Sequence, residues 1–295
     1  MFLMDDTKYL DYLELHYKKR NFVDQFEKKN YPRRYPNVYR INELPIHLDK
    51  HAKKILVAFS GGADSSLLLY MLCTLIKREK LKTKIDVYTM IRFWEQKPWL
   101  KPMAEDAFRY LKNKFPDIIG MQHWGFLPHE FETVPLKKLN LRNLTLPPMA
   151  KCDVLITHSY QVFLLETYKY DWVYSGTTMN PPLDNNQAPA FRNEKVVKDN
   201  WDWVITGSCI NPFGLLRKNY TMAQYVNYKL DDLLKLTRSC EAGIVDIKED
   251  YKTKYPPECG TCFFCQEKQW GKDNAKGFLL DMPKQKQSLW EKIFG

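Results

Sequence analysis

The chain has 295 residues, of which 44% are apolar, 27% charged and 14% aromatic, a balance that excludes wholesale disorder and suits one large α/β unit with an appended module. The formal charge of +10 raises the question of a nucleic-acid partner, but its placement argues against a dedicated binding face. Residues 51–150 carry 16 Lys/Arg against 9 Asp/Glu with the lysines scattered, whereas residues 240–295 carry nine of each.

Residues 1–50 form an N-terminal extension to which the sequence assigns no role. Its set Tyr9, Leu10, Tyr12, Leu13 and Leu15 partly fits both a two-fold and a helical period, with helix favoured. Tyr31-Pro32-Arg33-Arg34-Tyr35-Pro36 is the best local candidate for an RNA contact, although an extended linker explains it more simply. Direct nucleic-acid binding is therefore not favoured. Asp5 and Asp6 follow the first residues without a cationic lead or a small-residue cleavage site, and no apolar run reaches membrane-spanning length. The expectation is a cytoplasmic, soluble protein with no membrane partner.

From Ile55 onward the pattern becomes regular, with strand 55–60, helix 64–78, strand 85–91, helix 102–114 and strand 121–126. Alternation of this kind predicts a doubly wound parallel sheet. Residues 127–150 are proline-punctuated and leucine-rich, and a loop of that length usually shapes a site. A helix over 153–169 is followed by an apolar strand from Trp172 that ends in Ser175-Gly176-Thr177-Thr178. Beyond a loop at Asn185–Phe191, the pattern predicts a short strand at Trp203–Thr206 and a helix at Thr221–Leu236. The α/β domain is thus expected over 51–236, and a cysteine module with a helical tail over 237–295.

Between the first regular strand and helix lies Ser60-Gly61-Gly62-Ala63-Asp64-Ser65-Ser66. Two glycines open the backbone N–H groups to phosphate oxygens, and the helix start behind them adds partial positive charge. Ser60, Ser65 and Ser66 supply hydroxyls, and Asp64 would hold a Mg²⁺ bridging the phosphates of ATP. No Gly-Lys-Ser/Thr ending is present, so a phosphate lysine must come from elsewhere. The plainer reading is a strand–helix turn that happens to contain these residues. The polar tip at Gly176 and Thr177 should lie at the same sheet edge, where open α/β sheets bind nucleotides.

The seven cysteines divide by spacing. Cys73, Cys152 and Cys209 are isolated and read as buried thiols without chemistry. Cys240-x18-Cys259-x2-Cys262-x2-Cys265 has metal spacing, with Gly260 in the tight turn between two ligands. Tetrahedral Zn²⁺ held by four thiolates is the first expectation, and an iron–sulfur cluster is the rival. A closed Cys₄ shell leaves no open position, so such a zinc fixes structure and does not activate water.

These residues carry a resemblance. Ser60-Gly61-Gly62-Ala63-Asp64-Ser65 resembles the SGGxDS signature of the PP-loop ATP pyrophosphatases. The downstream half is similar to the 7-cyano-7-deazaguanine synthase family through three features: Ser175-Gly176-Thr177 with Asn180, Pro212-x3-Leu216-x-Lys218, and Thr237-x-Ser239-Cys240 followed by the clustered cysteines. The similarity spans residues 55–271 and makes Lys218 the phosphate lysine, beside Asp64 in a catalytic role. It implies ATP, Mg²⁺ and Zn²⁺ as cofactors and a homodimer. The implied reaction adenylates a 7-deazaguanine carboxylate, displaces AMP with ammonia, and dehydrates the amide to a nitrile for tRNA or DNA modification.

Two stretches depart from that family, Leu146–Lys151 and Asn186–Arg192. Arg192 stands as either a carboxylate-binding guanidinium or a surface arginine. Two other readings stay open, a PP-loop enzyme of tRNA thiolation and a zinc-containing nucleic-acid-binding protein with a vestigial loop.

Overall fold

The computed structural model describes residues 37–41, 44–91, 99–126, 157, 160–161, 163–183, 188–189, 192–193, 205–206, 209–214, 216–241 and 257–275. The expectations for Tyr9–Leu15, Tyr31–Pro36, residues 127–150, Leu146–Lys151 and Cys152 lie outside them, as does most of Asn185–Phe191. Among the described residues, no helix is long and apolar enough to cross a membrane.

A hairpin that the sequence pattern did not suggest comes first, with β1 (Asn37–Ile41) paired antiparallel to β2 (Leu44–Leu48). Ile46 and Leu48 enter the main core at 0% exposure, so this part of the extension packs on the α/β unit. The central sheet then builds from β3 (Lys54–Ala58), β4 (Lys84–Ile91), β5 (Ile119–Phe126), β6 (Trp172–Tyr174), β7 (Ile205–Thr206) and β8 (Cys209–Ile210). Its order is β5-β4-β3-β6-β8-β7. The first five of these are mutually parallel, and β7 closes one edge antiparallel to β8.

Helices cover both faces, as the alternating pattern predicted. Ile55 and Val57 point toward α1 (Ala63–Arg78) and α2 (Leu100–Lys114), and toward α3 (Lys218–Asn227) beyond them. Leu56 points the other way, with Tyr88 and Val173, against Tyr160, Leu164 and Leu165 around the helical segment 163–168. Successive strand residues face opposite sides, so these short apolar runs feed two cores at once. Cys73 on α1 is fully buried, as expected of a packing thiol.

Two boundaries moved for physical reasons. The strand expected at 121–126 begins at Ile119, because the register slips between Ile85 and Val87 and the Asp86 carboxylate accepts the Met121 N–H at 2.8 Å. A side chain thus replaces a ladder partner across the bulge. The helix expected at 221–236 is two helices, α3 and α4 (Asp231–Leu236). Lys229 adopts φ +53°, and the Leu230 N–H reaches back to the Tyr225 carbonyl at 2.9 Å. That left-handed closure ends the helix without the glycine that usually signals it.

The strand ends away from the Ser60 loop carry a polar cluster. Asp86, 2% exposed, pairs with Lys54 at 2.8 Å and accepts from the Tyr170 hydroxyl at 2.7 Å. That hydroxyl also lies 2.7 Å from His123 Nε2, which must then donate as a neutral imidazole. Burial holds the His123 ring down at about 4; Asp86 pulls against this, and Lys54 adds to it.

Candidate nucleotide site and metal centre

Strand order reverses between β3 and β6, the place where open α/β sheets leave a crevice at their carboxyl ends. Both polar tips read from the sequence arrive there. Gly61 takes φ +74°, and a Cβ on it would come within 2.7 Å of the Ala104 backbone on α2. Gly176 packs as closely on the start of α1: its Cβ would stand 3.1 Å from the Asp64 carbonyl. The tips after β3 and β6 are therefore adjacent.

The loop is braced from within. Ser60 N–H donates to Ser65 Oγ, Gly62 N–H to Ser60 Oγ, and Ser65 Oγ to the Gly62 carbonyl, each at 3.2 Å. Ser60 and Ser65 thus hold the turn in shape, whereas the sequence assigned their hydroxyls to phosphate. Ser66 is fully buried, and its Oγ has no hydrogen-bond partner among the described residues. No side chain caps α1 at Gly62. The first-turn N–H groups of Ala63, Asp64 and Ser65 have no acceptor within the helix, an arrangement suited to an anion.

Lys218 opens α3 and is 2% exposed. Its ammonium meets Asp64 Oδ2, so the two residues paired by sequence argument alone are in contact. Asp64 Oδ1 is buried with no hydrogen-bond partner among the described residues. A free carboxylate oxygen beside an uncapped helix start fits the donor set that Mg²⁺ and a phosphate chain require. Thr177 hydrogen-bonds Ser175 across 3.1 Å and belongs to the same tip.

Glu267 and Thr178, which the sequence did not assign, and Arg192, which it left open, complete the site. Glu267, 1% exposed on α5 (Phe263–Asp273), contacts Arg192 through Oε1 and lies 3.8 Å from the Lys218 ammonium through Oε2. Arg192 is itself 5% exposed and donates from Nη2 to Thr178 Oγ1 at 3.1 Å, which excludes the surface-arginine reading. Thr178 in turn lies 3.5 Å from Asp64 Oδ2. The legible trace of Glu267 was the stripe Phe263, Glu267 and Gly271, spaced to share one helix face.

The cysteine module adjoins this site. A Cβ on Gly62 would lie 3.4 Å from the Arg238 carbonyl, two residues before Cys240. The sulfurs of Cys240, Cys259, Cys262 and Cys265 all lie within 4.8 Å of one another, with Cys259 and Cys265 3.9 Å apart. One ion bound at ~2.3 Å to each of four tetrahedral sulfurs sets them ~3.8 Å apart, whereas an iron–sulfur cube distributes thiolates over separate irons. The spacing fits a single ion. Burial opposes ionisation of Cys259, yet the Cys262 N–H and the Thr261 hydroxyl and N–H bring its thiol down to about 6.

No protein-family model matches the chain, and no curated protein matches it. Among solved structures, the chain is similar to the U34-tRNA thiolase NcsA from Methanococcus maripaludis with its 4Fe-4S cluster. The match has 14% identity and a TM-score of 0.39, and covers 91% of this chain and 82% of that one. A likeness at that level says nothing about chemistry. The fold and site define a class by themselves: a parallel α/β sheet flanked by helices, with a C-terminal group of four cysteines able to hold a metal.

Proposed function

We propose that the chain is an ATP pyrophosphatase of the PP-loop kind that adenylates a carboxylate and passes the acyl group to ammonia. The observation that carries this reading is the meeting of Asp64 and Lys218 at the switch point, between an uncapped helix start and the Gly176 tip. Following the family it resembles, the acceptor is a 7-deazaguanine carboxylate or a near relative.

The carboxylate oxygen attacks the α-phosphorus, and the bond from that phosphorus to the bridging oxygen breaks. Pyrophosphate leaves with the electron pair. The N–H groups of Ala63, Asp64 and Ser65, with Lys218, neutralise the charge that develops on it, and Asp64 would hold a Mg²⁺ supplying further positive charge. Ammonia then attacks the acyl carbon and expels AMP, giving an amide. A second ATP activates the amide oxygen, and loss of AMP and two protons leaves the nitrile. No side-chain nucleophile is needed. Cys240, Cys259, Cys262 and Cys265 would hold a structural Zn²⁺ that supplies no chemistry to these steps.

Sulfur transfer to a tRNA base is the competing chemistry. It asks for a reactive thiol; burial pushes both Cys73 and Cys209 up, the latter to about 11 with Gln161 partly offsetting it, and Cys259, the thiol brought down, belongs to the four-cysteine group. Incubation with ATP, Mg²⁺, ammonium and candidate 7-deazaguanine acids, read by mass spectrometry, tests the proposal. AMP, pyrophosphate and a nitrile appearing together support it; AMP formed only with a sulfur donor and tRNA would replace it with thiolation.

A further inference from the structure

We propose that Glu267 is a positioning residue for Lys218, through which the helix rooted in the cysteine cluster sets the phosphate lysine. The inference rests on the reading of Lys218 given above and extends it to a residue outside the nucleotide loop.

Geometry carries it. Helix α5 starts directly after Cys262 and contains Cys265 in its first turn, so the cluster anchors its near end. One face of that helix presents Phe263, Glu267 and Gly271 at successive turns. Gly271 lets the backbone come against α3 at the lysine itself: a Cβ there would fall 2.6 Å from Lys218 Cγ and 3.0 Å from its carbonyl. One turn earlier, Glu267 sits at 1% exposure between two cations, Arg192 and Lys218.

A buried carboxylate needs compensation, and Arg192 already provides it through a direct contact. The second oxygen, 3.8 Å from the ammonium, is close enough to attract Lys218 and too far to bind it tightly. Asp64 contacts the same ammonium directly. Lys218 is therefore suspended between carboxylates on α1 and α5, with Arg192 beside the latter. When the phosphate chain takes a share of the lysine, Glu267 keeps its stem aligned.

A double-mutant cycle on the full-length, metal-loaded protein tests this, reading the dissociation constant of ATP with Mg²⁺ by calorimetry. Lys218→Met, which keeps the buried stem, should weaken binding about 100-fold, and Glu267→Gln, which can still accept from Arg192, about tenfold. Because Glu267 acts through Lys218, the double variant should bind like Lys218→Met alone. Bound zinc per chain should be unchanged in all three. Additive losses, or a Glu267→Gln affinity equal to that of the parent, overturn the inference while leaving the lysine's role intact. Unchanged affinity in Lys218→Met overturns the nucleotide reading itself. If Glu267→Gln does not fold, Gly271→Ala pushes the same lysine without altering any charge and should weaken ATP binding; unchanged affinity there counts against the proposal.

Discussion

Asp64 and Lys218 stand 154 positions apart and form a direct carboxylate–ammonium contact at the carboxyl edge of the sheet. The contact joins the start of α1 to the start of α3. In the proposed reading a phosphate chain binds at these helix starts. In that reading Asp64 would share Lys218 with the phosphate and hold a Mg²⁺ through Oδ1.

Asp64→Asn keeps the shape of the loop and removes the charge that would hold Mg²⁺. Turnover of ATP to AMP and pyrophosphate should fall by about 100-fold, a few kcal/mol of lost charge stabilisation. A pyrophosphate-release assay at saturating ATP decides it, and activity within threefold of the parent would show that the carboxylate is dispensable.

The purified chain should carry one zinc per molecule and lack the visible absorption of an iron–sulfur cluster. Cys262→Ser should release that metal and lower the denaturant midpoint, since the binding energy of a four-thiolate site is also folding energy. Metal analysis alongside urea unfolding reads both effects. A metal-free variant as stable as the parent would argue that the cluster is not structural.

Stability should fall as the solution is acidified from neutrality toward pH 4. The neutral imidazole of His123, held at about 4, ionises more readily in the unfolded chain, near 6.5, so the unfolded state binds more protons across that window. The loss should be about 3 kcal/mol. Asp86 adds to it at the acid end: burial raises its pKa, but the hydrogen bonds from Lys54, Tyr170 and Met121 bring it below the ordinary carboxylate value. His123→Gln should flatten the upper part of the profile, measured by urea unfolding at several pH values; an unchanged slope would place the titration elsewhere.

Lys229 ends α3 with φ +53°, a conformation that disfavours any residue with a Cβ. Lys229→Gly should therefore raise the unfolding free energy by roughly 0.5–1 kcal/mol, after allowing for the added freedom of the unfolded chain. Loss of stability on that substitution would show that the lysine stem packs usefully on its neighbours.

Local composition alone determined the strand–helix alternation, the glycine loop after β3 and the four-cysteine spacing, because period, turn chemistry and ligand spacing are written over short stretches. It failed where the cause was distant or atypical. The turn between α3 and α4 carries Lys229 in place of glycine, and β8 is only two residues long. Folding decided that Arg192 is buried, that Ser60 and Ser65 brace their own loop, and that Glu267 faces Lys218 from the cysteine helix. Such pairings depend on which helices cross and how closely, and a one-dimensional pattern does not encode crossing distance; Gly271 shows its purpose only once α3 lies against it.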